Sequence, residues 1–235
     1  MKIGVFGDSF AALKFEKNTT LSWVDILSKK YDITNFSLTG SSLFYSVQKF
    51  KSFHQDYDKI IFLVTSPGRL LLEYQPYFKR PEDVNITSLS TTEYCYNNLI
   101  NHPTTHENDM MLKIYKAALD YFKYIKNDEY DRYIHNLMVT DIVNTRSDAI
   151  LIPVTRDSLK LYKNVMDEIK IMEMKEWGLS PFSTFADFRN CHMTEENNAI
   201  FATKVEKWLN GSPVEIRLDD FVTPMNKEFY IKDYE

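Results

Sequence analysis

What this chain of 235 residues lacks narrows the classes of protein to which it can belong. It has only two cysteines, Cys95 and Cys191, too few and too far apart for a disulfide scaffold or a structural zinc site. It has no basic block, and its net charge of −5 makes it a poor candidate for a nucleic-acid binder. No apolar run reaches the roughly 18 residues that a membrane-spanning helix needs, so we expect no membrane partner.

The composition that remains is that of an ordinary folded chain. Hydrophobic residues make up 44% and charged residues 26%, which argues against intrinsic disorder, collagen and coiled coil as the main architecture. The length fits one domain with a single substantial core. We therefore predict one domain over residues 1–235, with an insertion at about 66–108 and a peripheral tail at about 212–235 that adds an edge strand. The oligomeric state is left open.

The first residues predict a core strand and not a signal peptide. A single lysine precedes the short apolar run Ile3–Phe6, which leads directly into a turn at Gly7-Asp8-Ser9. A signal peptide would have a longer apolar region and a small-residue cleavage site. We therefore expect the protein in the cytoplasm.

Strand and helix patterns alternate along the chain. Short apolar runs predict strands at 3–6, 31–37, 59–65 and 149–154. Amphipathic spacing predicts helices at 21–30, 43–53, 111–125, 130–142 and 194–209, with a break at 127–129. This alternation predicts an α/β fold with a mainly parallel sheet covered by helices on both faces.

Residues 66–108 interrupt this pattern. They are rich in Pro, Asn, Thr and Tyr and predict loops and short elements. Five aromatic residues in this stretch either form a platform for a sugar or acyl group or pack the insertion onto the sheet: Tyr74, Tyr77, Phe78, Tyr94 and Tyr96. His102 and His106 are separated by Pro103, which disturbs the helical spacing of a metal pair, so we interpret them as part of a polar loop.

Ser9 lies where a parallel sheet binds ligands. It follows the first strand within Gly7-Asp8-Ser9-Phe10, and ligands of open α/β sheets bind beyond the carboxyl ends of the strands. A serine hydroxyl becomes a nucleophile when a neighbouring base takes its proton. Of the five histidines, His192 stands just before the last predicted helix, at the position best suited to meet this serine.

The order of these motifs resembles the SGNH, or GDSL-like, hydrolase family. GDSF follows the first strand, Gly40-Ser41-Ser42 follows the second, and HMTEENNAIFATKVEKWL precedes the C-terminal end. The resemblance covers roughly residues 1–65 and 148–210. It implies a flavodoxin-like three-layer α/β/α sandwich that hydrolyses or transfers acyl esters, with Ser9 as nucleophile and His192 as general base. It also implies that the backbone N–H groups of Ser9 and Gly40 hold the oxyanion, and that no metal or cofactor takes part.

Two departures from the family pattern concern the rest of the site. The family places an Asp three residues before the histidine, where this chain has Arg189. Either Asp187, five residues before, orients His192 across a bulged loop, or a backbone carbonyl does so. The family also has a Gly-x-Asn-Asp turn after the third strand, where this chain reads TSPGR at 65–69. There Thr65 or Ser66 is a candidate hydroxyl donor, and Arg69 a candidate ligand for a charged group.

Three readings of the chain therefore stay open. The first is a serine esterase or acyltransferase acting on a short acyl ester, such as an acetate, of a small molecule or carbohydrate. The second is a non-catalytic member of the same fold, in which the displaced Asp and the missing Asn mark a degenerate site. The third is a phosphate- or nucleotide-binding flavodoxin-like protein using residues 7–10 as a phosphate turn, although this interpretation gives His192 and Gly40 no role.

Overall fold

The computed structural model describes residues 1–12, 21–38, 41–65, 69–71, 86–101, 106–153, 173–174, 183–184, 192–193, 195–212, 214–216 and 220–221. Within them the strands are β1 (Lys2–Phe6), β2 (Asp32–Asn35), β3 (Lys59–Val64), β4 (Arg69–Leu71), β5 (Ile86–Ser88), β6 (Ile150–Pro153), β7 (Glu173–Met174), β8 (Ser183–Thr184), β9 (His192–Met193) and β10 (Glu215–Ile216). The helices are α1 (Trp23–Leu27), α2 (Leu43–Phe53), α3 (Leu89–Ile100), α4 (His106–Asp120), α5 (Asp128–Thr145) and α6 (Glu195–Leu209).

A four-stranded sheet forms the centre of the fold. Its strand order is β2-β1-β3-β6, and every neighbouring pair is parallel. β3 and β6 are apolar on both faces and almost entirely buried, as strands covered by helices on both sides must be. This order is that of the first four strands of a flavodoxin-like sheet.

Helices cover both faces of this sheet, which gives three layers. On one face α1 and α6 pack on alternate strand residues, a cluster formed by Ile3, Val5, Trp23, Val24, Leu27, Ile61, Leu63, Ile150, Ile152, Phe201, Ala202, Val205 and Leu209. On the other face α2 and α5 pack on the intervening strand residues, a cluster formed by Phe6, Leu43, Val47, Phe50, Ile60, Phe62, Val64, Val139, Ile142 and Leu151. The predicted α/β/α architecture is confirmed.

Side-chain caps fix where several helices begin. The Ser22 hydroxyl accepts a hydrogen bond from the Asp25 N–H, and the Asp25 carboxylate accepts one from the Ser22 N–H, which is a capping box at the start of α1. Ser42 caps α2 by accepting from the N–H of Tyr45 at 3.2 Å. Asn127 caps α5, and the predicted break at 127–129 is confirmed as the point where α5 starts.

The insertion is more regular than the sequence predicts. It contains the antiparallel pair β4 and β5 and the twelve-residue helix α3. His106, predicted to lie in a loop, is the first residue of α4. The polar, Tyr- and Asn-rich sequence of α3 has weak helix propensity. Its helix is stabilised by packing on α4, where Leu99, Met111 and Tyr115 form a separate small cluster.

Short strands lie outside the main sheet. β10, in the predicted tail strand, pairs in parallel with β7, and β8 pairs antiparallel with β9. Within the described ranges, no helix is long and apolar enough to cross a membrane.

Candidate active site

The strand order reverses next to the strand that leads to Ser9. β1 connects to β2 on one side, and the chain then crosses to β3 on the other side, so the order reverses between β1 and β3. Ligands of open α/β sheets bind at such a switch point, outside the carboxyl ends of the strands. Ser9 follows β1 and Thr65 follows β3, so both stand at this edge.

The turn that carries Ser9 is tightly packed. A Cβ on Gly7 would lie 2.6 Å from the Cβ of Leu63 on β3, so only glycine fits where β1 ends. The Asp8 carbonyl then accepts hydrogen bonds from the N–H groups of Ala11 and Ala12, both at 3.0 Å. Ser9 is held in this turn with 6% of its surface exposed.

Asp8, the residue before Ser9 in this turn, carries a fully buried carboxylate. Its Oδ1 accepts from the N–H of Phe10 at 3.1 Å, and its Oδ2 accepts from the hydroxyl of Thr65 at 2.8 Å. The same Oδ2 lies 3.5 Å from Nη1 of Arg69. A buried carboxylate needs such partners because an uncompensated buried charge costs several kcal/mol. Asp8 therefore joins the ends of β1 and β3.

Thr65, a predicted hydroxyl donor of the site, contacts Asp8 in the structure. A hydroxyl carries one proton, and the Thr65 hydroxyl directs it to Asp8 in a position that is 1% exposed. Thr65 thus orients Asp8 in this structure.

The start of α2 is bound to the same turn. The Gly7 carbonyl accepts hydrogen bonds from the hydroxyls of Ser41 at 2.8 Å and Ser46 at 3.3 Å, and from the N–H of Leu38 at 3.2 Å. Burial raises the pKa of Tyr45, one turn into α2, so this phenol stays protonated at neutral pH.

Arg69, the first residue of β4, bridges the two turns. Its Nη1 donates to the carbonyl oxygen of Ser41 and forms the ion pair with Asp8. Pairing of Arg69 with Ser88 on β5 fixes its backbone. The side chain is 23% exposed, so the guanidinium reaches from the buried Asp8 towards solvent.

The backbone of His192 lies in β9, where it pairs with Thr184. Its neighbour Met193 is connected to the serine turn by a chain of three hydrogen bonds. Asn198 on α6 donates from Nδ2 to the Met193 carbonyl at 3.0 Å and accepts at Oδ1 from the Trp23 N–H at 3.0 Å. The Trp23 indole then donates to the Phe10 carbonyl at 2.7 Å.

The structure thus brings part of the predicted site together. Ser9, Thr65 and Arg69 meet around Asp8. Gly40, Ser66 and Asp187 lie outside the described residues, as do Tyr74, Tyr77 and Phe78 of the aromatic group. Their predicted roles stay predictions, as does that of the His192 side chain.

Three residues of this edge were missed by sequence reasoning. Asp8 stands inside the GDSF motif, and burial of a charged residue next to a nucleophile is not visible in sequence. Trp23 and Asn198 belong to two helices that are 175 residues apart in sequence. The one available signal for Asn198 is a second amide in the first turn of α6, at a position that the helix period places against the sheet.

Among the residues that the structure covers, no cluster of His, Cys, Asp and Glu could hold a metal ion. The arrangement as described provides a serine in a fixed turn, a buried carboxylate and a partly exposed guanidinium. These groups suit recognition of a polar or anionic centre beside a hydroxyl.

No protein-family model and no curated protein sequence matches this chain. Among solved structures it is similar to a lipase/acylhydrolase from Enterococcus faecalis, with 12% identity and a TM-score of 0.47 over 92% of this chain and 99% of that one. It is also similar to a G-D-S-L family protein from Desulfitobacterium hafniense DCB-2, with 11% identity and a TM-score of 0.44 over 86% and 95%. A third similar structure is an acetyl xylan esterase, with 13% identity and a TM-score of 0.32 over 89% and 100%.

Proposed function

We propose that this protein is a serine esterase or acyltransferase of the SGNH type, acting on a short acyl ester. Ser9 is the nucleophile and His192 the general base, with Asp187 orienting the imidazole. The observation that carries the proposal is the position of Ser9, in a rigid turn at the switch point between β1 and β3, connected through Trp23 and Asn198 to the strand of His192.

The reaction has two halves. Ser9 Oγ attacks the ester carbonyl carbon while His192 takes the hydroxyl proton, so a C–O bond forms and the carbonyl electron pair becomes an oxyanion. The backbone N–H groups of Ser9 and Gly40 hold this charge. The intermediate collapses, the bond to the leaving alkoxy group breaks, and His192 gives that group the proton.

The acyl-serine is then resolved. Water or an acceptor hydroxyl gives a proton to His192 and its oxygen attacks the acyl carbon, and the second collapse returns the proton to Ser9. With water the products are a carboxylic acid and an alcohol. With another hydroxyl the acyl group is transferred. An acetate on a carbohydrate is the substrate that we propose.

Kinetics with 4-nitrophenyl acetate test this proposal. We expect Ser9→Ala and His192→Ala each to lower kcat by at least ~10³-fold, because the two residues act as a unit. Ser52→Ala, a change at an exposed serine on α2, is the matched control and should leave kcat unchanged. Wild-type activity in the Ser9→Ala variant would contradict the assignment.

A second pair of variants tests the orienting carboxylate. If Asp187 positions His192, Asp187→Ala lowers kcat by ~10²-fold or more, and Asp187→Asn lowers it at least as much, because an amide can hold the imidazole in the wrong tautomer. Equal activity of both variants and the wild type would remove Asp187 from the mechanism while leaving Ser9 in place.

A non-catalytic binding protein is the alternative function. It is favoured by one observation on the sequence, the absence of an Asn in the turn at 65–69 that would complete the oxyanion hole. In that case wild-type protein shows no turnover that depends on Ser9.

A further inference from the structure

A guanidinium stands at the edge of the sheet where the proposed chemistry takes place. Arg69 contacts both turns from which that chemistry would come, since its Nη1 binds the carbonyl of Ser41 and lies 3.5 Å from the carboxylate of Asp8. Ser9 directly follows Asp8, and Gly40 directly precedes Ser41. The guanidinium therefore contacts the residue next in sequence to each of the two proposed oxyanion donors.

In its contacts with the described residues, Arg69 uses one of its three nitrogens. Both of its contacts are made by Nη1. Its Nε and Nη2 groups have no hydrogen-bond partner among the residues that the structure describes. A guanidinium has five N–H donors in a planar fork suited to two oxygens of one anion. The remaining donors are the part that a ligand can use.

Arg146 shows what a saturated guanidinium looks like in the same protein. It donates from Nη1 to the carbonyls of His54 at 2.8 Å and Tyr57 at 3.0 Å, and from Nη2 to that of Asp58 at 3.2 Å. Its Nε and Nη2 also bind both oxygens of Asp148 at 2.8 and 3.0 Å. Arg146 is 18% exposed and Arg69 is 23% exposed, so exposure does not explain the difference.

We propose that Arg69 binds an anionic oxygen at the Ser9 site through its Nε and Nη2 groups. The source of that oxygen is either the oxyanion formed during attack or a carboxylate or phosphate carried by the ester. The inference deepens the proposed esterase function and rests on it. Arg69 would thus supply a charged donor in the segment after the third strand, where the family that this chain resembles has the Asn amide of its oxyanion hole.

The geometry gives this guanidinium a defined orientation. The contacts of Nη1 to Ser41 and Asp8 hold one edge of the fork, and pairing of β4 with β5 holds the backbone. The charge of Asp8 is already shared with Phe10 and Thr65. Arg69 therefore retains positive charge for a second anion, and a pre-oriented donor stabilises developing charge more than a mobile one does.

Kinetics on a matched pair of esters test the inference. The neutral ester is 4-acetoxybenzamide and the anionic one is 4-acetoxybenzoate, which share the acyl group. The variants are Arg69→Lys, which keeps the charge but loses the fork, and Asp8→Asn with Arg69→Met. The double variant avoids leaving the buried Asp8 carboxylate without its cation. Arg146→Lys is the matched control, and we expect it to lower stability with kcat and KM unchanged.

Either of two results supports the inference, and they distinguish an oxyanion from a fixed charge on the ester as the source of the bound oxygen. If Arg69 binds the oxyanion, kcat falls by ~10²-fold in the double variant on both esters, with KM little changed. If it binds a fixed charge on the ester, KM for 4-acetoxybenzoate rises by ~10-fold or more while the values for 4-acetoxybenzamide stay the same. If both Arg69 variants retain wild-type kcat and KM on both esters and only melt at a lower temperature, Arg69 merely connects the turns and the inference is overturned.

A binding experiment separates this inference from the proposed function. If wild-type protein hydrolyses neither ester, the esterase proposal fails, and titration with sodium phosphate then tests Arg69 directly. A saturable shift of the Arg69 Nε–H resonance, identified by its loss in Arg69→Lys, supports an anion site that has no esterase role. A concentration of ~50 mM phosphate is well above the Kd expected for a preformed anion site. No shift of this resonance up to that concentration overturns the inference as well.

Discussion

The two ends of the parallel sheet each contain an arginine next to an aspartate, and the two pairs differ in what surrounds them. At the amino end, Arg146 has all its donors on protein acceptors and its partner Asp148 is 41% exposed. At the carboxyl end, Nε and Nη2 of Arg69 have no hydrogen-bond partner within the described part of the chain, and its partner Asp8 is fully buried. The hydrogen bond between Arg146 and Asp148 lowers the pKa of Asp148 and raises that of Arg146, as in an ordinary structural ion pair.

The same two residue types therefore serve different purposes at the two ends of the sheet. The Arg146 pair closes the loop between α5 and β6 over the carbonyls that precede β3, and water can solvate its carboxylate. The carboxylate of Asp8 lies where water cannot reach it. It accepts hydrogen bonds from the Phe10 N–H and the Thr65 hydroxyl, and these fix the turn of Ser9. Apolar residues of the same size are often at least as stabilising as a buried ion pair of this kind. We therefore infer that the role of Asp8 is to fix the turn of Ser9 at the proposed site.

Removal of each carboxylate should separate the two ends most strongly. We expect Asp8→Ala to lower the free energy of unfolding by about 3 kcal/mol or more, because it leaves the Thr65 hydroxyl and the Arg69 charge without their buried acceptor. Asp148→Ala should cost about 1 kcal/mol or less, since exposed pairs contribute little. Urea unfolding of both variants measures this. Equal losses would mean that the two pairs are equivalent and that burial of Asp8 has no special role.

The connection between the serine turn and the histidine strand gives an effect of intermediate size. Asn198→Ala removes the bonds to Met193 and Trp23, so we expect a loss of about 1–2 kcal/mol of stability and a ~10-fold lower kcat with KM unchanged. Asn101→Ala is the control, because Asn101 is exposed just after α3 and its side chain donates to the nearby Asn97 carbonyl at 2.9 Å.

A purely structural role for Asn198 gives a different outcome. In that case the folded variant, assayed well below its melting temperature, would keep the wild-type kcat and the wild-type dependence of kcat/KM on pH. A displaced imidazole would instead alter that dependence.

The smallest expected effect concerns the amino end and its response to pH. Burial against Phe50, with added repulsion from Arg146 and Lys51, lowers the pKa of His54 below its usual value near ~6.5. The unfolded chain therefore takes up a proton as pH falls below ~6.5 before the native state does, so the free energy of unfolding decreases over that interval. Above ~6.5 this contribution to stability is complete.

His54→Phe should flatten this decrease, because phenylalanine keeps the stacking on Phe50 and does not titrate. None of the described residues forms a hydrogen bond with the buried Nδ1 of His54, so the substitution leaves none of them without a partner there. Thermal melts between pH 5 and 7 measure the slope. An unchanged slope would show that other groups, such as His135, whose pKa burial also lowers, account for it.

The central strands and the Ser9 turn could be predicted from the sequence, whereas α3 and the contacts between distant segments could not. The central strands were predictable because apolar runs such as Ile60–Val64 have no other stable environment, and the Ser9 turn was predictable because GDSF directly follows one of them. α3 was not, since its sequence has low helix propensity and its stability comes from packing on α4. The roles of Asp8, Trp23 and Asn198 were not predictable either, because they depend on contacts between segments far apart in sequence.

The central claim is that Ser9 is an activated nucleophile at the carboxyl end of the sheet. Intact-mass analysis after treatment with a fluorophosphonate tests it most directly, on the wild type and on Ser9→Ala, His192→Ala and Ser52→Ala. We predict a single adduct on Ser9 in the wild type and in Ser52→Ala, none in Ser9→Ala and much slower labelling in His192→Ala. No adduct on the wild type, under conditions that fully label a control esterase, would contradict the claim.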